Sequence, residues 1–366
     1  MNPEPVLSIE NLRTYFYSKS KKVFVRSVDG VDLHVQSGET MGVVGESGSG
    51  KSVTALSAMG LIRTDPGVIT GSVMFKRNGE QKNLLQSIEQ YVHTGEQDGR
   101  IMEVRKDNRG WHRNVDRLMR NIRGKEISMI FQNPRVSLNP FMTIGRQITE
   151  SILLNTGIQD KSEAVDKAKY WLERVKIDSP ELRFNNYPYG LSGGMCQRAM
   201  IAMALSAEPS LLIADEPTTG LDSTIQSKIV ELLSELKEEV GVTTLLISHD
   251  ISMVARLSDN IAVMYGGRVL ERGPSGTVLS PEVMPKHPYT MALLKSIPSD
   301  RNIQEKEYLK VIDGDVLDTV NIPEGCRFFD RCDQVHDGIR DRCMHREPGL
   351  DVVADDHRVR CWLYVD

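Results

Sequence analysis

The stretch Gly45-Glu46-Ser47-Gly48-Ser49-Gly50-Lys51-Ser52 fits the pattern G-x-x-x-x-G-K-[ST] without a mismatch. It lies between an apolar run, Met41-Gly42-Val43-Val44, that reads as a buried strand and a segment from about Lys51 to Met59 that reads as a helix. Strand, glycine-rich turn and helix in that order make a phosphate-binding loop. The glycines let backbone N–H groups turn inward around an anion without Cβ clashes, and the helix N-terminus presents its dipole to the same phosphates. Gly45, Ser47, Gly48, Ser49 and Gly50 form the cradle, Lys51 reaches the β- and γ-phosphates, and the Ser52 hydroxyl is placed to ligate Mg²⁺.

Charge and hydropathy exclude several alternatives. The 366 residues carry 45 basic and 50 acidic side chains, a formal net charge of −5, which is no footprint for general nucleic-acid binding. No stretch approaches the roughly 20 consecutive apolar residues of a membrane span. The opening Met1-Asn2-Pro3-Glu4-Pro5 lacks the charged and apolar regions of a signal peptide. The expectation is a soluble, intracellular protein that can still dock on a membrane protein.

Residues 6–45 alternate apolar and polar residues in short runs, read as strands joined by turns; the trio Tyr15-Phe16-Tyr17 offers either a ring to stack on a purine or an aromatic strand packed on the core. Residues 76–113 have little apolar periodicity and read as a polar surface insertion. Ile127-Ser128-Met129-Ile130-Phe131-Gln132 reads as a buried strand ending in a polar residue, and residues 144–176 show helical spacing, part of a helical subdomain over about 133–206. A further helix is expected from about Met195 to Ser206. Leu211-Leu212-Ile213-Ala214 then delivers Asp215 and Glu216 at the carboxyl end of a buried strand, where α/β sheets place their ligands. A similar strand, Thr243-Thr244-Leu245-Leu246-Ile247, leads to Ser248-His249-Asp250, and Gly266-Gly267 reads as a hairpin turn.

Phosphoryl transfer to water needs cradled phosphates, a bridging metal, an oriented water and a group that reads the γ-phosphate. The chain offers one candidate for each part. Ser52 and Asp215 hold Mg²⁺ directly or through water, Glu216 polarises the attacking water, His249 contacts the γ-phosphate, and Gln132 senses metal and water.

Leu191-Ser192-Gly193-Gly194-Met195-Cys196-Gln197-Arg198 resembles the signature motif of ABC-transporter ATPases, and the motif order from Val6 to about Gly273 is similar to that family's. The resemblance implies an α/β P-loop ABC ATPase core with a helical subdomain and an antiparallel β subdomain over residues 1–273. It also implies a dimer in which the signature of one subunit closes on ATP held by the other. Ser192, Gly193 and Gly194 at a helix start form an anion site with no phosphate loop beside it in sequence, which suits such a partner. Thr219-Gly220-Leu221-Asp222 resembles the D-loop at that interface, and by the same resemblance Phe16 is the adenine-stacking ring, with Tyr15 and Tyr17 as further candidates. Cys196 stands where the family usually carries a basic or polar residue, expected to weaken a surface contact, and Gly220 replaces a common alanine, expected to loosen the D-loop.

Residues 274–366 form a C-terminal extension. Lys286-His287-Pro288-Tyr289-Thr290-Met291-Ala292-Leu293-Leu294-Lys295-Ser296-Ile297-Pro298 resembles the segment specific to ATPases of oligopeptide/dipeptide importers. Cys326, Cys332, Cys343 and Cys361 follow, and four thiolates in a short loop-rich tail suit tetrahedral zinc or an iron–sulfur cluster. The spacing lacks paired C-x2-C knuckles, which favours the cluster over Zn²⁺; in the subfamily that the tail resembles, four such cysteines can hold a [4Fe–4S] cluster. The resemblance implies partners as well: a second ABC ATPase subunit, identical or homologous, two transmembrane permease subunits and an extracytoplasmic solute-binding protein, but no nucleic acid. The chain would then sit on the cytoplasmic face of the membrane and power peptide import. Nickel or sugar import, and a soluble non-transport ABC ATPase, are the alternatives.

Overall fold

The computed structural model describes residues 5–77, 79–97, 100–296 and 312–365. Residues 1–4, Asn78, Asp98 and Gly99 of the insertion, and Ile297 and Pro298 of the tail motif lie outside them. The chain forms two compact units. One takes Val35–Thr40 and Asp116–Ile247 with the stretch up to Val6; the other takes Leu7–His34, Met41–Val115 and everything from Ser248 on.

In the first unit, Ile127–Ile130, Leu211–Asp215 and Thr243–Ile247 pair in parallel, with Leu211–Asp215 in the middle. Every residue of that middle strand is buried, which is why it reads as an unbroken apolar run and not as an alternating one. Its carboxyl end carries Asp215. The helices Ile144–Asn155, Lys161–Arg174 and Gly193–Leu205 pack on one another and bury Ile148, Ile152, Ala164, Ala168 and Trp171. Their starts are fixed by side chains that accept the first free N–H groups: Thr143 from Arg146, Asp160 from Glu163, and Ser192 from Met195. The helical stretch of the sequence is therefore a small bundle.

The second unit holds a four-stranded sheet in the order Val23–Val35, Leu7–Ser18, Pro66–Arg77, Glu80–Asn83. Leu7–Ser18 and Pro66–Arg77 run antiparallel, as do Pro66–Arg77 and Glu80–Asn83. Separately, Thr40–Val44 lies parallel to Asn260–Tyr265, which turns back antiparallel into Arg268–Pro274. Gly266 and Gly267 have φ of 52° and 79°, the left-handed pair that a two-residue hairpin turn requires. The helix Lys51–Ala58 leaves the end of Thr40–Val44 through the glycine-rich loop. From the tail come the helices Pro288–Lys295 and Asp337–His345 and the short pair Asp351–Ala354 and His357–Val359.

The stretch read as a polar surface insertion, residues 76–113, has elements and buried side chains of its own. Val92–Gln97 and Arg100–Lys106 form a hairpin, followed by the helix Asn108–Met119. Leu84, Leu85, Ile88, Val92, Ile101, Trp111 and Val115 are buried. Because these apolar residues are spread over several short elements, no single window shows a period. The Lys106 ammonium donates to the carbonyls of Pro66 and Val68 at 2.6 and 2.7 Å and lies 5.3 Å from the centre of the Trp111 ring. Burial pulls its pKa down to about 7. An isolated hairpin is marginal in water, and this one meets the strand Pro66–Arg77 as well as the Trp111 ring. Trp111→Ala is expected to cost about 3–5 kcal/mol of local stability and to make the hairpin cleave at least tenfold faster in limited proteolysis. Unchanged cleavage would show that the ring does not hold the segment.

Candidate nucleotide site

The phosphate loop is shaped by close backbone approaches. Gly45 has φ of 151°, and a Cβ on it would lie 2.1 Å from the Met264 carbonyl oxygen; at Gly50, with φ of 102°, a Cβ would lie 2.3 Å from the Ser27 carbonyl oxygen. Only glycine fits either place. The N–H of Gly267 donates to the Ser49 carbonyl at 3.0 Å, and the N–H of Asp29 donates to the Gly267 carbonyl at 3.0 Å, so the hairpin turn braces the loop. The Lys51 ammonium donates to the carbonyls of Gly45 and Glu46 at 2.7 and 3.0 Å. Ser47 and Gly48 are exposed, Ser49 and Gly50 buried, and Ser52 half-buried.

The aromatic trio divides by burial. Tyr15 is buried, its hydroxyl donating to Asp29 at 2.5 Å, so it offers no face to a ligand. Phe16 is half-buried, while Tyr17 is exposed and meets Phe24 edge-on at 5.3 Å. His249 is exposed just ahead of the helix Ile251–Leu257, whose cap Asp250 accepts from the Met253 N–H.

In the other unit, Glu216 follows the strand Leu211–Asp215 with φ of 47°, a left-handed conformation that a glutamate rarely adopts. Its N–H donates to the Ile247 carbonyl at 2.8 Å, which fixes the turn. One carboxylate oxygen accepts from the Gln132 amide at 2.9 Å and from the Thr219 hydroxyl at 2.8 Å. Gln132 and Glu216, 84 residues apart in sequence, are thus joined directly. Thr219 was not singled out from the sequence, although it lies in the stretch likened to the D-loop. Asp215 is buried at the strand end.

An open cleft of about 760 Å³ in the same unit is lined by Gln132, by Ser192, Gly193 and Gly194, and by residues 219–222. Gly194 allows the helix Gly193–Leu205 to touch Ser223–Val240, since a Cβ there would lie 2.7 Å from the Ile225 side chain. Asp222 caps Ser223–Val240 by accepting from the Ile225 N–H at 3.0 Å. Two expectations are corrected here. Cys196 is fully buried, its thiol donating to the Pro188 carbonyl at 3.4 Å, so it serves the core and not a surface contact. Gly220 has φ of 79°, where glycine is the residue that relieves strain, so it suits the turn and does not loosen it.

The tail cysteines converge. Cys326, Cys332, Cys343 and Cys361 line one cavity of about 10 Å³ together with His287 and Phe328. Burial, and with it the neighbouring thiols, pushes Cys326 and Cys361 up to about 12. Such thiols ionise readily only with a positive centre among them. Among the described residues, however, no three His, Cys, Asp or Glu side chains have the spacing to hold a metal ion. The structure thus brings the four cysteines together, but neither an iron–sulfur nor a zinc site is seen among the described residues.

Tail residues also meet the phosphate loop. The Tyr289 hydroxyl accepts from the Glu46 N–H at 2.8 Å, and Arg331 donates to both Glu46 carboxylate oxygens at 2.7 and 3.1 Å. Arg327 donates to Asp29 at 2.6 Å. None of Glu46, Tyr289 and Arg331 stood out in the sequence as a contact, since no spacing links residues so far apart.

Comparison with known proteins follows the same lines. A family profile described as ABC transporter matches residues 28–219, and one described as oligopeptide/dipeptide transporter, C-terminal region, matches residues 270–338. The oligopeptide transport ATP-binding protein AppD of Bacillus subtilis is 41% identical over 360 residues, covering 98% of this chain and 97% of its own length. The dipeptide transport ATP-binding protein DppD of Escherichia coli is 39% identical over 361 residues, covering 99% and 97%. Among solved structures, the dimeric ATP-binding cassette MJ0796 in a post-hydrolysis state with ADP and phosphate has a TM-score of 0.57 at 24% identity, covering 74% of this chain and 98% of that one. At that identity the likeness concerns the fold.

Asp29 gives the site a pH signature. Burial would raise its pKa, but Arg327, the Tyr15 hydroxyl and Arg268 outweigh burial and bring it from 3.8 down to about 2. A carboxylate depressed on folding stabilises above its unfolded pKa and loses that contribution as pH falls through the folded one, here between about 4 and 2. The contribution at neutral pH is about 2 kcal/mol. Asp29→Asn is expected to be less stable at pH 7 and to lose less stability than wild type across that acid window, read from urea midpoints; equal losses would contradict the assignment.

Proposed function

The chain belongs to the ABC transporter family, among its ATP-binding subunits, and from that premise we propose that it hydrolyses ATP to drive peptide import through membrane permease subunits. The supporting observation is the similarity along the whole chain to peptide-transport ATP-binding proteins, tail included. A phosphate loop alone would fit any NTPase.

The roles follow from the residues. Backbone N–H groups of Gly45, Ser47, Gly48, Ser49 and Gly50, with the Lys51 ammonium, take the phosphates, and Phe16 stacks on the adenine. Ser52 and Asp215, with Gln132, would hold Mg²⁺, which would supply positive charge against the phosphates. Glu216 accepts a proton from the attacking water; the hydrogen bonds from Gln132 and Thr219 aim its carboxylate. His249 contacts the γ-phosphate. Ser192, Gly193, Gly194 and Asp222 face the nucleotide of a second ATPase subunit, a reading supported by the open cleft they line and by the dimeric form of the cassette MJ0796. No helix among the described residues is long and apolar enough to cross a membrane. The pathway in this reading belongs to permeases, at whose cytoplasmic face the chain docks, with an extracytoplasmic binding protein delivering the solute. Cys326, Cys332, Cys343 and Cys361 would hold a [4Fe–4S] cluster, with Zn²⁺ as the other occupant of the same donor set; the shared cavity that the thiols line is what supports this reading.

Glu216→Gln keeps the side-chain volume but removes the base. In membranes containing the chain and its permeases, turnover is expected to fall by about 10²-fold or more while ATP still binds. Wild-type turnover should rise with added peptide. Stimulation by nickel or a sugar instead would change the solute, and turnover indifferent to permeases would overturn the importer. For the tail, anaerobically purified protein should carry iron and acid-labile sulfide, lost together when Cys326 and Cys361 are replaced by serine; stoichiometric zinc without sulfide would reverse that assignment.

A further inference from the structure

The C-terminal extension reaches into the phosphate loop itself. Glu46, the second residue of that loop, is held twice by the tail: its N–H by the Tyr289 hydroxyl at 2.8 Å, and both carboxylate oxygens by the Arg331 guanidinium at 2.7 and 3.1 Å. Neither holder is loose. Tyr289 is fully buried and packs against Tyr265 and Phe328, with ring centres 4.7 and 5.3 Å away. Arg331 lies over the Tyr265 and Phe328 rings at 5.7 and 5.9 Å and donates to the Asp313 carbonyl at 2.9 Å.

The charges matter as much as the contacts. A carboxylate beside a loop built for a polyanion repels its ligand unless it is paired, and a bidentate guanidinium is the pairing that both neutralises and orients it. We propose that Tyr289 and Arg331 are positioning residues for nucleotide binding, clamping Glu46 so that the phosphate loop is preorganised and its acidic side chain is kept from opposing the phosphates. The tail then belongs to the nucleotide-binding machinery. This inference rests on the reading of residues 45–52 as the nucleotide loop.

The test is equilibrium binding of a fluorescent ATP analogue, with KM and kcat for ATP, on the full chain with its transporter partners. Arg331→Gln is expected to weaken nucleotide binding and raise KM by about three- to tenfold, chiefly because the Glu46 carboxylate is left unpaired beside the phosphates, with kcat changed less than twofold. Glu46→Gln, which loses the ion pair but also the charge, should weaken nucleotide binding by less than Arg331→Gln does. In the Arg331→Gln/Glu46→Gln double variant most of the lost affinity should return, because the unpaired charge is gone. Arg331→Lys should be intermediate, and Tyr289→Phe should weaken binding by about threefold. Thermal midpoints without nucleotide separate this from a fold defect: a lowered midpoint with unchanged Kd and KM would mean a purely structural contact and overturn the clamp. So would an Arg331→Gln loss that persists in full in the double variant. Absence of nucleotide binding by wild type would instead sink the reading of the loop.

Discussion

A loop that cradles an anion must leave its inward N–H groups for the ligand, so whatever fixes its shape has to come from outside the cradle. Here the fixing is done by contact and by borrowed hydrogen bonds. The backbone passes so close to the carbonyls of Met264 and Ser27 that Gly45 and Gly50 admit no side chain. The glycine hairpin at Gly266 and Gly267 closes on Ser49. With its surroundings fixed, the Lys51 ammonium is held against the Gly45 and Glu46 carbonyls of its own loop.

Glu216 shows the same economy in the other unit. Its left-handed backbone costs on the order of 1–3 kcal/mol, and such strain persists only where the surroundings over-determine it. The Ile247 carbonyl holds its N–H, and Gln132 and Thr219 hold its carboxylate. A side chain fixed from both ends has one defined orientation, the kind of preorganisation that the proposed role of Glu216 calls for.

The contiguous parts of this arrangement were legible in the sequence. Residues 45–52, the buried run ending at Asp215 and Glu216, and the glycine pair at 266 and 267 each carry their geometry in a few neighbouring residues, because turn chemistry and strand burial are local. What escaped depends on partners distant in the chain. The insertion looked solvated because its core is assembled from single apolar residues on several short elements around Trp111. Cys196 looked like a surface variant because the pattern around it does not say which side of the helix faces inward. Gly220 looked like a loosened alanine because φ cannot be read from residue type alone. Arg331 and Glu46, 285 residues apart, share no spacing that any motif could record.

The tail joins these themes in one short loop, residues 326–332. It begins and ends with a cysteine of the shared cavity, and between them Arg327 reaches Asp29 while Arg331 reaches Glu46. The Cys326 N–H donates to the Cys343 carbonyl at 2.8 Å, and Gly325 leaves no room there for a Cβ. Such a loop has little freedom to shift one end without the other, since protein interiors transmit displacement through close packing. The loop that carries two of the four cysteines is therefore also the one that carries the two arginines paired with Asp29 and Glu46, and packing constrains both sets of contacts together.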